Sequence, residues 1–407
     1  MKNSFKSLFS LPVIVAALGY FVDIYDLLLF GIVRIPSLQS LGLNAEEVSL
    51  QGVSILNWQM TGLILGGILW GVMGDKKGRL SVLFGSILTY SLANILCGFV
   101  ESIFAYKVLR FIAGVGLAGE LGAGITLVSE ILPKKLRGIA TSLVAGIGLL
   151  GAVFAFFTVK LFDWRMAYFV GGGMGILLLL LRIGVFESGI FKNLKERNDV
   201  IKGDFFALFK KRDRFLRYIK CIGMGLPTWF VIGILATFSD EFGFDLGINE
   251  IIDPGLSIMW CYIGLSLGDI SSGFLSHFLQ SRKKTVLYMM LFTFLCSGIY
   301  LYSGNQSAII LYVLNGLLGF GIGYWAMFVT IGAEQFGTNL RATAATTIPN
   351  MVRGTVVLMT TLFVQFKSHL NTINAGALVG IICFIIGFYS ILTIPETYDK
   401  DLDYLEV

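Results

Sequence analysis

Histidine is nearly missing from this chain, and charge is scarce. The two histidines of the 407 residues, His277 and His369, stand far apart, so no histidine metal cluster and no histidine-based nucleophile relay can be drawn through them. The five cysteines (Cys97, Cys221, Cys261, Cys296, Cys383) fall in or beside apolar runs without metal-ligand spacing and read as small buried hydrophobes. A phosphate-binding loop is absent too, because "GDKKGR" (74–79) is short, basic and lacks the required glycine pattern, which argues against ATP-driven pumping. Neither an enzyme nor a metal or cofactor is therefore expected. Charged residues make up only 14% of the chain against 56% hydrophobic, too few to cover a soluble surface of this size.

What is present is a series of long apolar runs. A helix needs about 20 mostly apolar residues to cross the ~30 Å hydrocarbon core. Twelve runs meet that length, at 11–33, 50–73, 80–99, 102–131, 138–160, 165–186, 218–238, 255–278, 285–303, 308–333, 343–366 and 374–394. No strand alternation competes, and unpaired backbone is costly in lipid, so the expected class is an all-α membrane protein with twelve transmembrane helices. "MKNSFKSLFS" leads into the first run without a cleavage site of the signal-peptide kind. With the N-terminus inside, roughly 24 of the 31 Lys and Arg fall in cytoplasmic segments, so both termini are expected in the cytoplasm. The net charge of +5 reflects that loop bias and points to the lipid bilayer, not to a nucleic-acid partner.

The longest connection, near 187–217, is basic and amphipathic in places, as for a segment lying along the inner membrane face. It divides the chain into 1–187, a cytoplasmic linker 188–217, and 218–407. The halves echo each other. "SEILPKKLRG" (129–138) and "AEQFGTNLRA" (333–342) each hold a Glu and an Arg at the same spacing, Glu130 with Arg137 and Glu334 with Arg341. "FESG" (186–189) returns as "PETY" (395–398), and "GVMGDKKGRL" (71–80) has a decayed copy in "GFLSHFLQSRKK" (273–284), with His277 at the acid position. The common offset implies one duplication, giving two pseudo-symmetric six-helix bundles.

"GVMGDKKGRL" closes the second run. Gly71 and Gly74 let a neighbouring helix approach, Gly78 permits a tight turn, and Asp75 can accept hydrogen bonds from a facing helix N-terminus. Lys76, Lys77 and Arg79 can pair with Asp75 or Glu130, so the cluster reads as a latch that breaks when the halves move; a plain basic loop is the alternative.

These residues resemble the major facilitator superfamily. Its G-x-x-x-D-[RK]-x-G-R signature is met by Gly71, Asp75, Lys76, Gly78 and Arg79, and "RFIAGVGLAGE" (110–120) looks like its helix-four motif, with the third glycine at Gly119. "GYFVDIYDLLLFG" and "FESGIFKNLKE" are most similar to the metabolite:proton symporter and sugar porter branches, although the prolines of "PESP" are missing. The run "AGIGLLGAVFAF" has no Pro, unlike proton-coupled drug antiporters.

Ionisable residues inside the runs are expensive in a bilayer and mark candidate sites. Asp23 and Asp26 share one face of the first run; Asp26 lies ~22 Å above its start and Arg110 ~12 Å below the other surface, at similar depth. Loss of an Arg partner in a low-dielectric cavity favours a protonated carboxyl, so Asp26 is the expected proton acceptor, with Arg110 and Asp23 tuning it. The resemblance implies the same pair, and a fixed structural bridge is the alternative. Glu120 is a second proton site or the partner of a base in the inner half. Arg353, ~15 Å deep behind Pro349, is the leading contact for an anionic substrate, with Asn350 on its face; an internal pair with Asp269 is the other reading. Asn57, Gln59, Trp229, Tyr324 and Trp325 complete the candidate cavity. The expected function is proton symport of a small polar metabolite bearing a carboxylate, by a monomer in a bacterial inner membrane. A zwitterion, cation or neutral sugar is the competing cargo, and a transporter-like receptor the competing class.

Overall fold

The computed structural model describes residues 11–77, 79–122, 124, 134–187, 205–304 and 307–398. Every regular element among them is a helix. The first half holds α1 (Leu11–Ser40), α2 (Ala45–Lys77), α3 (Arg79–Cys97), α4 (Ile103–Leu117), α5 (Lys134–Leu161) and α6 (Trp164–Glu187). Beyond the linker come the short α7 (Ala207–Lys210), α8 (Arg212–Phe230) with a π-helical extension Val231–Ala236, α9 (Ser239–Asp245), α10 (Pro254–Leu279) and α11 (Arg282–Tyr302). The last passes are divided, into α12 (Ala308–Gly321) and α13 (Trp325–Glu334), then α14 (Thr338–Gly354) and α15 (Val356–Lys367), before α16 (Thr372–Thr393).

Ten helical stretches among the described residues are long and apolar enough to cross a membrane. Ser81–Cys97 is apolar but shorter. The fourth run is helical over α4, turns at Ala118 and Gly119, and resumes at Glu120. Of the linker, residues 205–217 are described, and α8 begins at Arg212, earlier than the apolar run because Arg214 and Tyr218 are already buried in its first turns. Leucines and isoleucines such as Leu177, Leu180 and Ile385 are each more than 60% exposed on the outer faces of α6 and α16, as expected where lipid replaces water.

Small residues set how closely the helices pack. A Cβ on Gly62 would meet the Phe111 carbonyl, and one on Gly114 the Gln59 carbonyl, so α2 and α4 touch backbone to backbone. The pair α10 and α12 is built the same way, through Gly264 and Gly319.

The two halves of the chain meet along two antiparallel seams. Along α2, Gly71 faces Thr347, Gly67 faces Asn350 with 2.8 Å between its would-be Cβ and the Asn350 Cβ, and Asn57 accepts a 2.6 Å hydrogen bond from Thr360. Positions descending α2 meet positions ascending α14 and α15. The second seam joins α5 to α10, through Lys160 and Asp253 at 2.8 Å and through Ser266, which donates to the Gly146 carbonyl at 3.1 Å.

Candidate functional site

Charged side chains buried near the middle of these helices make up the candidate site. Asp23 lies on α1 ~18 Å from its start and Arg353 on α14 ~22 Å from its start, each near the centre of its pass. They face each other across the two halves, Arg353 Nη2 to Asp23 Oδ2 at 3.7 Å, with side chains 1% and 0% exposed. Of the two readings the sequence left for Arg353, the internal partner is therefore Asp23 and not Asp269. Indoles flank the guanidinium, with Cζ 6.0 Å from the Trp229 ring centre and 5.9 Å from that of Trp325. The two indoles stand 6.4 Å apart and nearly perpendicular.

Several polar atoms of this cluster have no hydrogen-bond partner among the described residues: Arg353 Nε and Nη1, both Asp23 carboxylate oxygens and Trp229 Nε1. Most buried polar atoms in folded proteins are partnered, so these orphans make the cluster the candidate binding region. Tyr324 is tied down, its hydroxyl donating to the Met224 carbonyl at 3.3 Å. Asn350 is also committed, its amide donating to the Ala118 carbonyl at 2.8 Å and to Thr346, which joins the halves just below Arg353.

Asp26 and Arg110 do lie at one depth, but their carboxylate and guanidinium form no ion pair within 4 Å. Arg110 donates to the backbone carbonyl of Asp26 at 2.9 Å, to Asn94 Oδ1 at 2.8 Å and to Gln59 Oε1 at 3.3 Å, and lies over the Tyr168 ring. Gln59 in turn donates to the Leu27 carbonyl at 2.9 Å. Arg110 is thus a buried cross-brace between α1, α2 and α3, and Asn94 is a member of this group that sequence reading missed. The signal was weak, a lone amide in an apolar helix. Asn57 is spent on Thr360 at the far end of the α2 seam. Glu120 forms a fully buried ion pair with Arg182 of α6. A Cβ on Gly19 would collide with that pair, so α1 crosses it one turn before Asp23.

At the end of the molecule where α1 finishes, Arg34 is 2% exposed and spans the halves to Asp240 at 2.8 Å and Glu241 at 3.7 Å. It also donates to the Thr237 carbonyl and lies 4.7 Å from the Phe238 ring centre. Glu241 is shared further, accepting from Ser49 at 2.8 Å and pairing with Lys367. Burial pushes the Asp240 carboxyl above its ordinary value, opposed by Arg34 and reinforced by Glu241. No motif announced this cluster, because its partners are about 200 residues apart in sequence.

At the opposite end, Arg282 binds Glu334 at 2.8 Å, and Glu396 of "PETY" accepts from the Arg282 and Lys283 amides at 3.1 and 3.2 Å, capping α11. Arg341 lies in the first turn of α14. In the first half the expected latch is described only in part. Gly71 packs at the seam, Asp75 and Lys76 lie in the last turn of α2, Arg79 opens α3 and Arg137 lies in α5. Gly78 and Glu130 lie outside the described residues.

Comparison with known proteins places this architecture. Residues 16–356 match the Major Facilitator Superfamily. A Haemophilus influenzae chain whose name assigns it to metabolite transport is 28% identical over 99% of this chain and 100% of its own length. The sialic acid transporter NanX of Escherichia coli is 27% identical over 85% of this chain and 83% of its own. The cis,cis-muconate transport protein of Acinetobacter baylyi is 25% identical over 94% and 93%. A match of that extent, on helices long and apolar enough to cross a bilayer, makes this protein an integral membrane transporter of the Major Facilitator Superfamily.

Proposed function

We propose that the protein carries a small carboxylate-bearing organic anion together with a proton, by alternating access between two six-helix bundles related by the internal repeat. The observation that carries this reading is the Asp23–Arg353 pair, buried, stretched to 3.7 Å and left with unused donors and acceptors. A buried ion pair held at that distance repays little of its desolvation. A substrate carboxylate fits the planar fork of Arg353 better than Asp23 does, and a proton on Asp23 removes the charge that would otherwise be stranded. One anion and one proton therefore enter the site as a neutral set. Asp26 is the second carboxylate on that face of α1, while Arg110 and the Glu120–Arg182 pair fix the helices around it. Trp229 and Trp325 supply flat apolar walls for the body of the substrate.

Relatives named for transport of sialic acid, benzoate and cis,cis-muconate support a carboxylate cargo. The Arg34 cluster is then the external gate, and the Arg282–Glu334–Glu396 cluster a cytoplasmic latch, with both termini in the cytoplasm of a bacterial cell and the protein acting as a monomer in its inner membrane. The test is a melting-temperature screen of purified protein against benzoate, sialic acid, muconate, glucose and choline at two pH values. A bound ligand raises the melting temperature by mass action. Stabilisation by a carboxylate that disappears in Arg353→Ala, and loses its pH dependence in Asp23→Asn, is expected. Stabilisation by choline or glucose alone, or a carboxylate effect that survives Arg353→Ala, overturns the reading.

A further inference from the structure

The pass that carries Trp325 is interrupted. α12 stops at Gly321, the backbone turns through Ile322, Gly323 and Tyr324, and α13 starts at Trp325. The new helix has no cap of its own, since Tyr324 stands at the N-cap position with no side-chain hydrogen bond to offer. The cap comes from a neighbouring helix. Asp269 of α10, fully buried, accepts a hydrogen bond from the Ala326 amide at 3.0 Å through Oδ1. A Cβ on Gly323 would lie 2.6 Å from the Asp269 nitrogen, so glycine is what lets the break approach α10 closely enough for a short side chain to reach.

The choice of a carboxylate is informative. Asn, Asp and Ser cap helices about equally well, and of these only Asp brings a charge into the membrane interior. No cation pairs with Asp269 within 4 Å among the described residues; the ionisable groups that bear on the same buried layer are Tyr20 and Asp23 of α1 and Arg353 of α14. Its Oδ1 sits at the positive end of α13. That helix begins with the indole standing 5.9 Å from Arg353.

We propose that Asp269 is a positioning residue of the substrate site: it fixes the start of α13 and thereby sets Trp325 against Arg353. This rests on the assignment of Arg353 as the substrate contact. It gives α10, which touches the other half of the chain through Ser266, a direct mechanical connection to one wall of the site.

Two variants of the full-length protein test it, Asp269→Ala, which removes the acceptor, and Asp269→Asn, which keeps the shape and a weaker neutral acceptor. Benzoate is the probe, its affinity read by quenching of tryptophan emission, and deuterium uptake of the 322–330 segment is measured without ligand. Asp269→Ala is expected to weaken benzoate binding about tenfold, the scale of one lost charge-assisted hydrogen bond, and to raise uptake at 322–330 while 338–354 exchanges as in the wild type. Asp269→Asn is expected to lose less than about threefold in affinity and to show a smaller rise in uptake at 322–330. Unchanged uptake at 322–330 in Asp269→Ala overturns the proposal; where that variant does not fold, a loss of benzoate affinity in Asp269→Asn with uptake at 322–330 unchanged overturns it, and so does an Asn variant that binds as weakly as the Ala variant, which would assign the effect to charge and not to the cap. If instead benzoate binding is indifferent to Arg353→Ala, the substrate assignment fails, and the uptake comparison still decides whether Asp269 caps α13.

Discussion

Removing the Arg34 guanidinium should open the proposed external end of the transporter. In the closed arrangement Arg34 makes a 2.8 Å charge-assisted bond to Asp240, a 3.3 Å bond to the Thr237 carbonyl and a ring contact with Phe238, with its side chain 2% exposed. A charged hydrogen bond contributes about 1.5–3 kcal/mol and the ring contact about 0.5–1. Part of this returns as hydration when the halves separate, and Asp240 is itself 25% exposed, so ~2 kcal/mol is a reasonable net value. That is roughly a 30-fold change in the equilibrium between closed and open external ends. If about 1% of wild-type molecules are open, Arg34→Gln raises the fraction to roughly a quarter. Spin labels on the exposed Glu46 and Asn249 report the distance between the halves there, and the five native cysteines are buried and unreactive enough to leave in place. A second, longer distance should grow in Arg34→Gln. Superimposable distance distributions for variant and wild type would refute the gate.

The same labels test a pH effect. Asp240 holds its proton more tightly when buried in the closed state than when hydrated in the open one, so its contribution to closure is complete below the ordinary carboxylate range and fades as pH rises through its raised value. The open fraction should therefore grow on alkalinisation, and this slope should vanish in Asp240→Asn. Asp23→Asn and Arg353→Gln should each lower the melting temperature, because each strands a buried group worth about 3–5 kcal/mol when its partner is removed, and the double variant should recover most of the loss. Failure of the double variant to recover would show that the two side chains are not coupled. Gly62→Ala should lower the melting temperature by forcing α2 off the Phe111 carbonyl, whereas Gly173→Ala, with open space around it on α6, should be neutral or stabilising; equal effects would remove close packing as the cause.

Amino-acid pattern was enough to give the all-helical class and ten of the membrane-crossing stretches, because length and hydrophobicity decide what crosses a bilayer. It also found the buried acids and bases, since each stands out in an apolar run. Depth along a helix placed Arg110 level with Asp26, but depth says nothing about rotation, and the guanidinium meets the Asp26 carbonyl and Asn94 where a carboxylate had been expected. Partners were least legible. Asp23 with Arg353, Glu120 with Arg182 and Arg34 with Asp240 are joined by helix packing, which a single sequence does not encode locally. The Asp269 cap was hidden for another reason: a helix break at Gly323 leaves a short glycine signal that looks the same as an ordinary packing contact.

In the proposed repeat, the two halves have not stayed mechanically equal. α1 and α5 run without interruption for 30 and 28 residues. The helices that correspond to them in the proposed repeat are segmented: α8 passes into a π-helical stretch at Val231, and α14 gives way to α15 at Thr355, just past Pro349. Each irregularity loosens the regular ladder of hydrogen bonds and acts as a pivot. On that reading α1 and α5 are stiff levers and the helices that correspond to them are jointed arms, with Arg353 carried on one arm. The proposed alternating access is then shared unequally, with α1 and α5 turning as rods and α8 and α14 bending around the cargo.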